Sequence, residues 1–150
     1  MFDTSKIGYS FSPFPVSIER TKLRELALAI GDPNPVYQDQ QAAQAAGYED
    51  VPLLPTTATI FLFWENRRFI EQLAELGFDV VRLIHREESY EYLVAIHPGE
   101  MLTGVMTVLD GSTRKGRGDA SIDLVTLQLS YTNQEGQMVL VATTRLVSRE

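Results

Sequence analysis

The sequence predicts a single α+β domain in which an antiparallel sheet curls around one apolar helix. Three observations carry this prediction. Apolar residues recur at helical spacing in the first half, and a period of two takes over after Gly77. Between these halves, Ile60, Phe61, Leu62, Phe63 and Trp64 give one helix no polar side at all. Such a helix must be covered all round, and a curled sheet built from the later strands would cover it. With 150 residues, 44% of them hydrophobic and 22% charged, the chain has the size and composition of one such core, residues 1–150.

Phe14-Pro15-Val16-Ser17-Ile18 reads as a short extended segment. From Glu19, the apolar positions Leu23, Leu26, Ala27 and Ile30 fall on one helical face, and Gly31 supplies a left-handed C-cap. Asp32-Pro33-Asn34-Pro35 is a structured turn, because each proline restricts its predecessor and lacks a donor. Asp39 caps a small alanine-rich helix that Gly47 closes. An extended entry, Val51-Pro52-Leu53-Leu54-Pro55, leads into a long helix over 56–76. Its first half is expected to be buried on every side. Its second half is amphipathic, with Phe69, Ile70, Leu73 and Leu76 set against Glu71, Gln72 and Glu75.

Strands follow. One is expected over 81–96, interrupted near Arg86-Glu87-Glu88 and turned at Pro98-Gly99. The next covers 101–109 and leads to a loop over 110–118. A long strand over 120–131 carries apolar residues on even positions to Leu124 and on odd positions from Val125, a phase slip that implies a bulge or burial of both faces. Asn133-Gln134-Glu135-Gly136 is a hairpin turn into the last strand, 138–147.

Charge and composition exclude several functions. A net charge of −7 argues against nucleic acid, whose phosphates need a basic face. The one dense basic cluster, Arg114, Lys115 and Arg117, is a solvated loop that could at most meet one phosphate group. The chain has no cysteine, which removes thiol catalysis, disulfides and cysteine-held metals. No metal or cofactor is expected. The first residues lack the pattern of a signal peptide, and the longest apolar run is far short of the roughly 20 residues a bilayer requires. The expectation is a soluble, cytoplasmic protein without a membrane partner.

Gly31-Asp32-Pro33-Asn34-Pro35-Val36-Tyr37-Gln38-Asp39, followed by Ala43 and Ala46-Gly47-Tyr48, resembles the signature of the MaoC-like (R)-specific enoyl-CoA hydratases. The 51–57 segment is similar to the entry of that family's central helix. Residues 83–92 and His97-Pro98-Gly99-Glu100 are similar to a strand and a turn of its N-terminal dehydratase domains. The resemblance implies a hot-dog fold and an acyl-thioester ligand, carried by CoA or by acyl carrier protein. In the family an aspartate and a histidine of this turn form the acid–base pair. Asp32 and Asn34 match, but Tyr37 stands where the histidine belongs. Histidine titrates near neutrality, whereas an ordinary phenol has a pKa of about 10 and is a poor base at pH 7. The departure implies a non-catalytic or weakly active hydratase–dehydratase subunit, working as a homodimer or as a heterodimer with an intact MaoC-like partner.

Each candidate has a plainer role beside it. Asp32 can simply hold turn amides, and Tyr37 can be a pocket wall. His85 is the candidate replacement base, while His97 beside Pro98 reads as a turn residue. Pro55, Thr56 and Thr57 would bring helix amides to a thioester carbonyl, as an oxyanion hole does, or Thr would only cap the helix. Glu65 could indicate a thioesterase, but it lies about 12 Å along the helix from Thr57 at 1.5 Å per residue. A self-sufficient hydratase using Asp32 with Tyr37 or His85, and a hot-dog thioesterase or acyl-CoA-binding regulator, are the alternatives.

Overall fold

The computed structural model describes residues 2–116 and 121–149. Among the described residues, five strands form one antiparallel sheet: β1 (Phe14–Ser17), β2 (Leu83–Tyr92), β3 (Met101–Lys115), β4 (Ser121–Thr132) and β5 (Met138–Arg149). Their spatial order is β1-β3-β4-β5-β2, so β1 and β2 are the edges. Alternation builds the core face. Leu102, Met106 and Val108 of β3, Val125, Leu127, Leu129 and Tyr131 of β4, and Leu140, Ala142 and Leu146 of β5 are all buried.

The helices fall where spacing predicts, with one exception. Helix α1 (Arg20–Ala29) buries Leu23 and Ala27, and Gly31 follows it with φ +73°. Helix α2 (Gln40–Ala45) is capped by Asp39, whose carboxylate accepts from the Ala42 amide at 2.8 Å. The expected continuous helix over 56–76 is instead broken. A single α-turn, α3 (Ala58–Ile60), widens into a π-helical stretch, Phe61–Glu65, with Asn66 N–H reaching the Phe61 carbonyl at 3.3 Å. Helix α4 (Phe69–Glu75) then restarts. At the break, buried Asn66 donates to buried Gln72 at 2.8 Å, a pairing made possible by the chain turning there.

That break also corrects the expectation of all-round burial. Phe61 and Leu62 enter the core, where Phe61 meets Tyr131 edge-on, but Phe63 is 44% and Trp64 70% exposed. A helix lying across one sheet face has an outer flank, and the wide π turn points these two rings onto it.

Three strand expectations change. β3 runs on to Lys115, so residues 110–115 are strand rather than loop, held by pairing with 121–126 of β4; Arg117 lies outside the described residues. The interruption lies in β3, between Val108 and Asp110, and β4 keeps its odd positions inward from Asp123 to Tyr131. The expected 81–96 strand ends at Tyr92, and Val81 is 89% exposed in a 3-10 turn. Its predicted interruption is present as a bulge between His85 and Glu87.

Candidate functional site

The motif turn is built by its own side chains. After α1, the Asp32 amide donates to the Ala27 carbonyl at 2.9 Å, and the Asp32 carboxylate accepts from the Asn34 amide at 2.9 Å. Asn34 in turn caps the 3-10 turn Pro35–Tyr37 by accepting from the Val36 amide at 3.2 Å. Gln38 closes the turn by donating to the Asp32 carbonyl at 3.0 Å. Asp32 and Tyr37 are both partly buried, and the Asp32 carboxylate is engaged by backbone rather than by Tyr37. The pair thus sits in one turn without a mutual hydrogen bond among the described residues.

The start of the central helix is clamped to β2 by two tyrosines. Tyr92 donates its phenol to the Pro55 carbonyl at 3.0 Å and also meets the Ala58 amide; burial pushes its pKa up to about 12. The Tyr90 and Thr59 hydroxyls are hydrogen-bonded, and burial raises the Tyr90 phenol as well. Thr57 is fully buried; its amide donates to the Leu54 carbonyl at 2.9 Å, while its hydroxyl has no partner among the described residues. Thr56 and Pro55 are exposed.

His85 and Glu88 form a pair that the sequence reading half anticipated. The bulge at Arg86 turns His85 to the same face of β2 as Glu88, Tyr90 and Tyr92, opposite buried Leu146, Thr144 and Ala142. His85 Nε2 lies 2.6 Å from Glu88 Oε2, and the Thr144 hydroxyl donates to that same oxygen at 2.6 Å. Burial raises the Glu88 pKa, opposed by the bonds from Thr144 and His85. A carboxylate on one ring nitrogen fixes the tautomer and leaves the other nitrogen to act. The His85 ring stands 6.4 Å from that of Phe63. Phe63, with Leu26, Thr59, Ile60 and Trp64, lines a cleft of about 360 Å³ on the outer helix flank.

Glu88, Tyr90 and Tyr92 escaped the sequence reading. Their signal is the alternation of residues 88, 90 and 92, which is hidden because the bulge shifts its phase against His85. Glu65 accepts from Lys22 Nζ at 2.5 Å, an ion pair that ties the π stretch to α1. His97 lies in the loop after β2, its Nε2 3.5 Å from Glu49.

The FAS1-like dehydratase domain region matches residues 5–142. The chain belongs to that family. A curated UPF0336 protein of Streptomyces avermitilis is 34% identical over 148 residues, 98% of this chain and 95% of the relative. The C-terminally truncated HadBC (3R-hydroxyacyl-ACP dehydratase) complex of Mycobacterium tuberculosis contains a chain that superposes with a TM-score of 0.77 at 22% identity, covering 95% of this chain and 97% of that one. A MaoC-like dehydratase superposes with the same TM-score of 0.77 at 26% identity, over 96% of this chain and 42% of its own length. The resemblance read from residues 31–39 therefore holds across the molecule, and the fold of this FAS1-like dehydratase-region chain is the hot-dog fold.

Proposed function

We propose that this chain binds an acyl thioester, on CoA or on acyl carrier protein, as the non-catalytic or weakly active subunit of an enoyl-thioester hydratase or 3-hydroxyacyl dehydratase. One observation carries the reading: Tyr37 occupies the place of the general base, while Asp32 is spent on its own turn. The HadBC likeness supports a paired arrangement, since that dehydratase is a complex. Edge strand β2 has a neighbour on one side only among the described residues, and Phe63 and Trp64 are exposed beside it. A second hot-dog subunit carrying an intact Asp–His pair would complete the site, and a homodimer would complete the channel alone. Such work calls for a cytoplasmic protein. The thioester carbonyl would lie near Pro55, Thr56 and Thr57.

A second reading has its own support. The His85–Glu88 pair gives the chain an oriented imidazole, so a self-sufficient hydratase would draw its base from β2 rather than from position 37. The two separate in one experiment. Wild type, Tyr37→His and Asp32→Asn/Tyr37→His are assayed on the same short trans-2-enoyl-CoA. Loss of one member of an acid–base pair costs about 10²–10⁴-fold, so Tyr37→His should recover part of that range, and the double change should lose it again. Recovery that survives Asp32→Asn favours His85. A folded Tyr37→His that binds ligand without any gain means that the site lacks more than one residue.

A further inference from the structure

Helix α1 and the central helix are bridged rather than packed tight. The cleft of about 360 Å³ opens between Leu26 of α1 and Thr56, Thr59, Ile60, Phe63 and Trp64. A smaller gap of about 20 Å³ lies among Leu23, Thr57, Ile60 and Phe61, and Lys22 and Glu65 border it. Lys22 Nζ donates to Glu65 Oε1 at 2.5 Å and lies 3.5 Å from Glu19 on its own helix. Among the described residues this is the one polar side-chain contact between α1 and the central helix. Its side chains are 36% and 25% exposed, so water screens the pair only in part. The hydrogen bond from Glu65 raises the Lys22 pKa, and the ammonium stays charged at neutral pH. The π stretch makes the contact: its wide turn brings Glu65 to α1 while the adjacent Trp64 stays exposed.

The other end of α1 carries the motif turn. The Asp32 amide is bonded to the Ala27 carbonyl at 2.9 Å and Gln38 to the Asp32 carbonyl at 3.0 Å, so the turn moves with the helix. Arg20 anchors the first turn of α1 to Asp50 at 2.9 and 2.5 Å, and buried Leu23 and Ala27 hold the helix to the core. The Lys22–Glu65 bond is left to set how far α1 leans from the central helix. Asp32 follows Lys22 by ten residues, about 15 Å at 1.5 Å per residue. A tilt of about 4° at Lys22 therefore carries the turn about 1 Å, a displacement that costs a reacting geometry about 10²-fold. We propose that Lys22 and Glu65 form a strut that fixes the angle of α1, which makes Glu65 a positioning residue for the motif turn at 32–37. The consequence for turnover rests on the hydratase–dehydratase reading above; the strut itself does not.

The test uses the full-length chain labelled with fluorotyrosine, with the Tyr37 signal among its six tyrosines assigned by its loss in Tyr37→Phe. Glu65→Gln and Lys22→Met should each move the Tyr37 fluorine resonance. The exchanged pair, Lys22→Glu/Glu65→Lys, should return it toward the wild-type position. In a Tyr37→His background, Glu65→Gln should lower kcat about 10–100-fold while KM stays within about threefold, and the exchanged pair should recover most of the loss. A purely local loss of stability would lower Tm without moving Tyr37. Glu65→Asp keeps the charge on a shorter side chain and replaces Glu65→Gln should that variant not fold; it should shift the resonance in the same direction by less. A Tyr37 resonance unmoved in the folded single variants, or a shift that the exchanged pair does not reverse, overturns the strut. If Tyr37→His has no turnover, the reading of Tyr37 as the one missing group fails, and the Tyr37 resonance still decides the strut.

Discussion

Replacing Tyr131 by phenylalanine should make this protein more stable. Tyr131 is fully buried on β4, its ring edge-on to Phe14 at 6.2 Å and to Phe61 at 5.6 Å. Its hydroxyl has no hydrogen-bond partner among the described residues. Burial, reinforced by nearby Glu88, Tyr90 and Tyr92, pushes the phenol pKa well up, so the group stays neutral through the working range. A buried donor left unpaired costs about 1–3 kcal/mol. Phenylalanine removes that cost and keeps both ring contacts. For a 150-residue chain, one kcal/mol moves Tm by about 2–4 °C, so thermal unfolding followed by circular dichroism should shift upward by about 2–12 °C. Tyr131→Leu is the control. It loses two edge-on pairs worth about 1–3 kcal/mol together, before any cavity cost, and should melt lower. A clear fall in Tm for Tyr131→Phe would refute the reasoning, because it would mean that the hydroxyl has a partner worth more than the desolvation it suffers.

Three further outcomes follow from packing and charge. An alanine Cβ at Gly104 would stand 2.5 Å from the Phe14 ring and 2.9 Å from Tyr131, so Gly104→Ala should cost about 1–3 kcal/mol in urea unfolding. Gln72→Leu strands the buried Asn66 amide at the helix break and should cost about 1–3 kcal/mol, part of which Asn66→Leu added to it should restore. Glu88 is raised by burial above its ordinary 4.5, so near and above that pH the folded state holds this proton more tightly than the unfolded one. Its contribution is greatest in acid and is lost as pH rises through the folded value. Glu88→Gln should remove that decline, so that the stability difference, variant minus wild type, grows from acid to neutral pH; a difference flat with pH would show that Glu88 does not carry it.

The features legible in the sequence were local ones. Gly31 ends α1 because only a residue free to take φ +73° closes it well, and Asp39 caps α2 with its own side chain. The bulge by Arg86 and the turn from Asn133 to Gly136 could likewise be placed from a few neighbouring residues. What was missed depends on distant partners. Asp110 and Gly111 are poor strand formers, yet they pair with Thr126 and Val125, and the Gly111 site leaves room for the Phe2 ring. Phe63 and Trp64 are as apolar as Phe61 and Leu62, and only the position of the π turn over the sheet decides which pair is buried. The motif turn was readable residue by residue. The His85–Glu88 pair was not, because its geometry needs both the bulge and Thr144 from the neighbouring strand.

The most direct measurement compares binding with turnover in the isolated wild-type chain. Crotonyl-CoA binding is followed by calorimetry, and hydration by loss of the enoyl absorbance, on the same preparation with Asp32→Asn beside it. The subunit reading predicts saturable binding with hydration absent or at least about 10²-fold below what Tyr37→His achieves. Turnover of tens per second by wild type that disappears in Asp32→Asn would contradict it, since the turn would then hold a complete catalytic pair with Tyr37 in place.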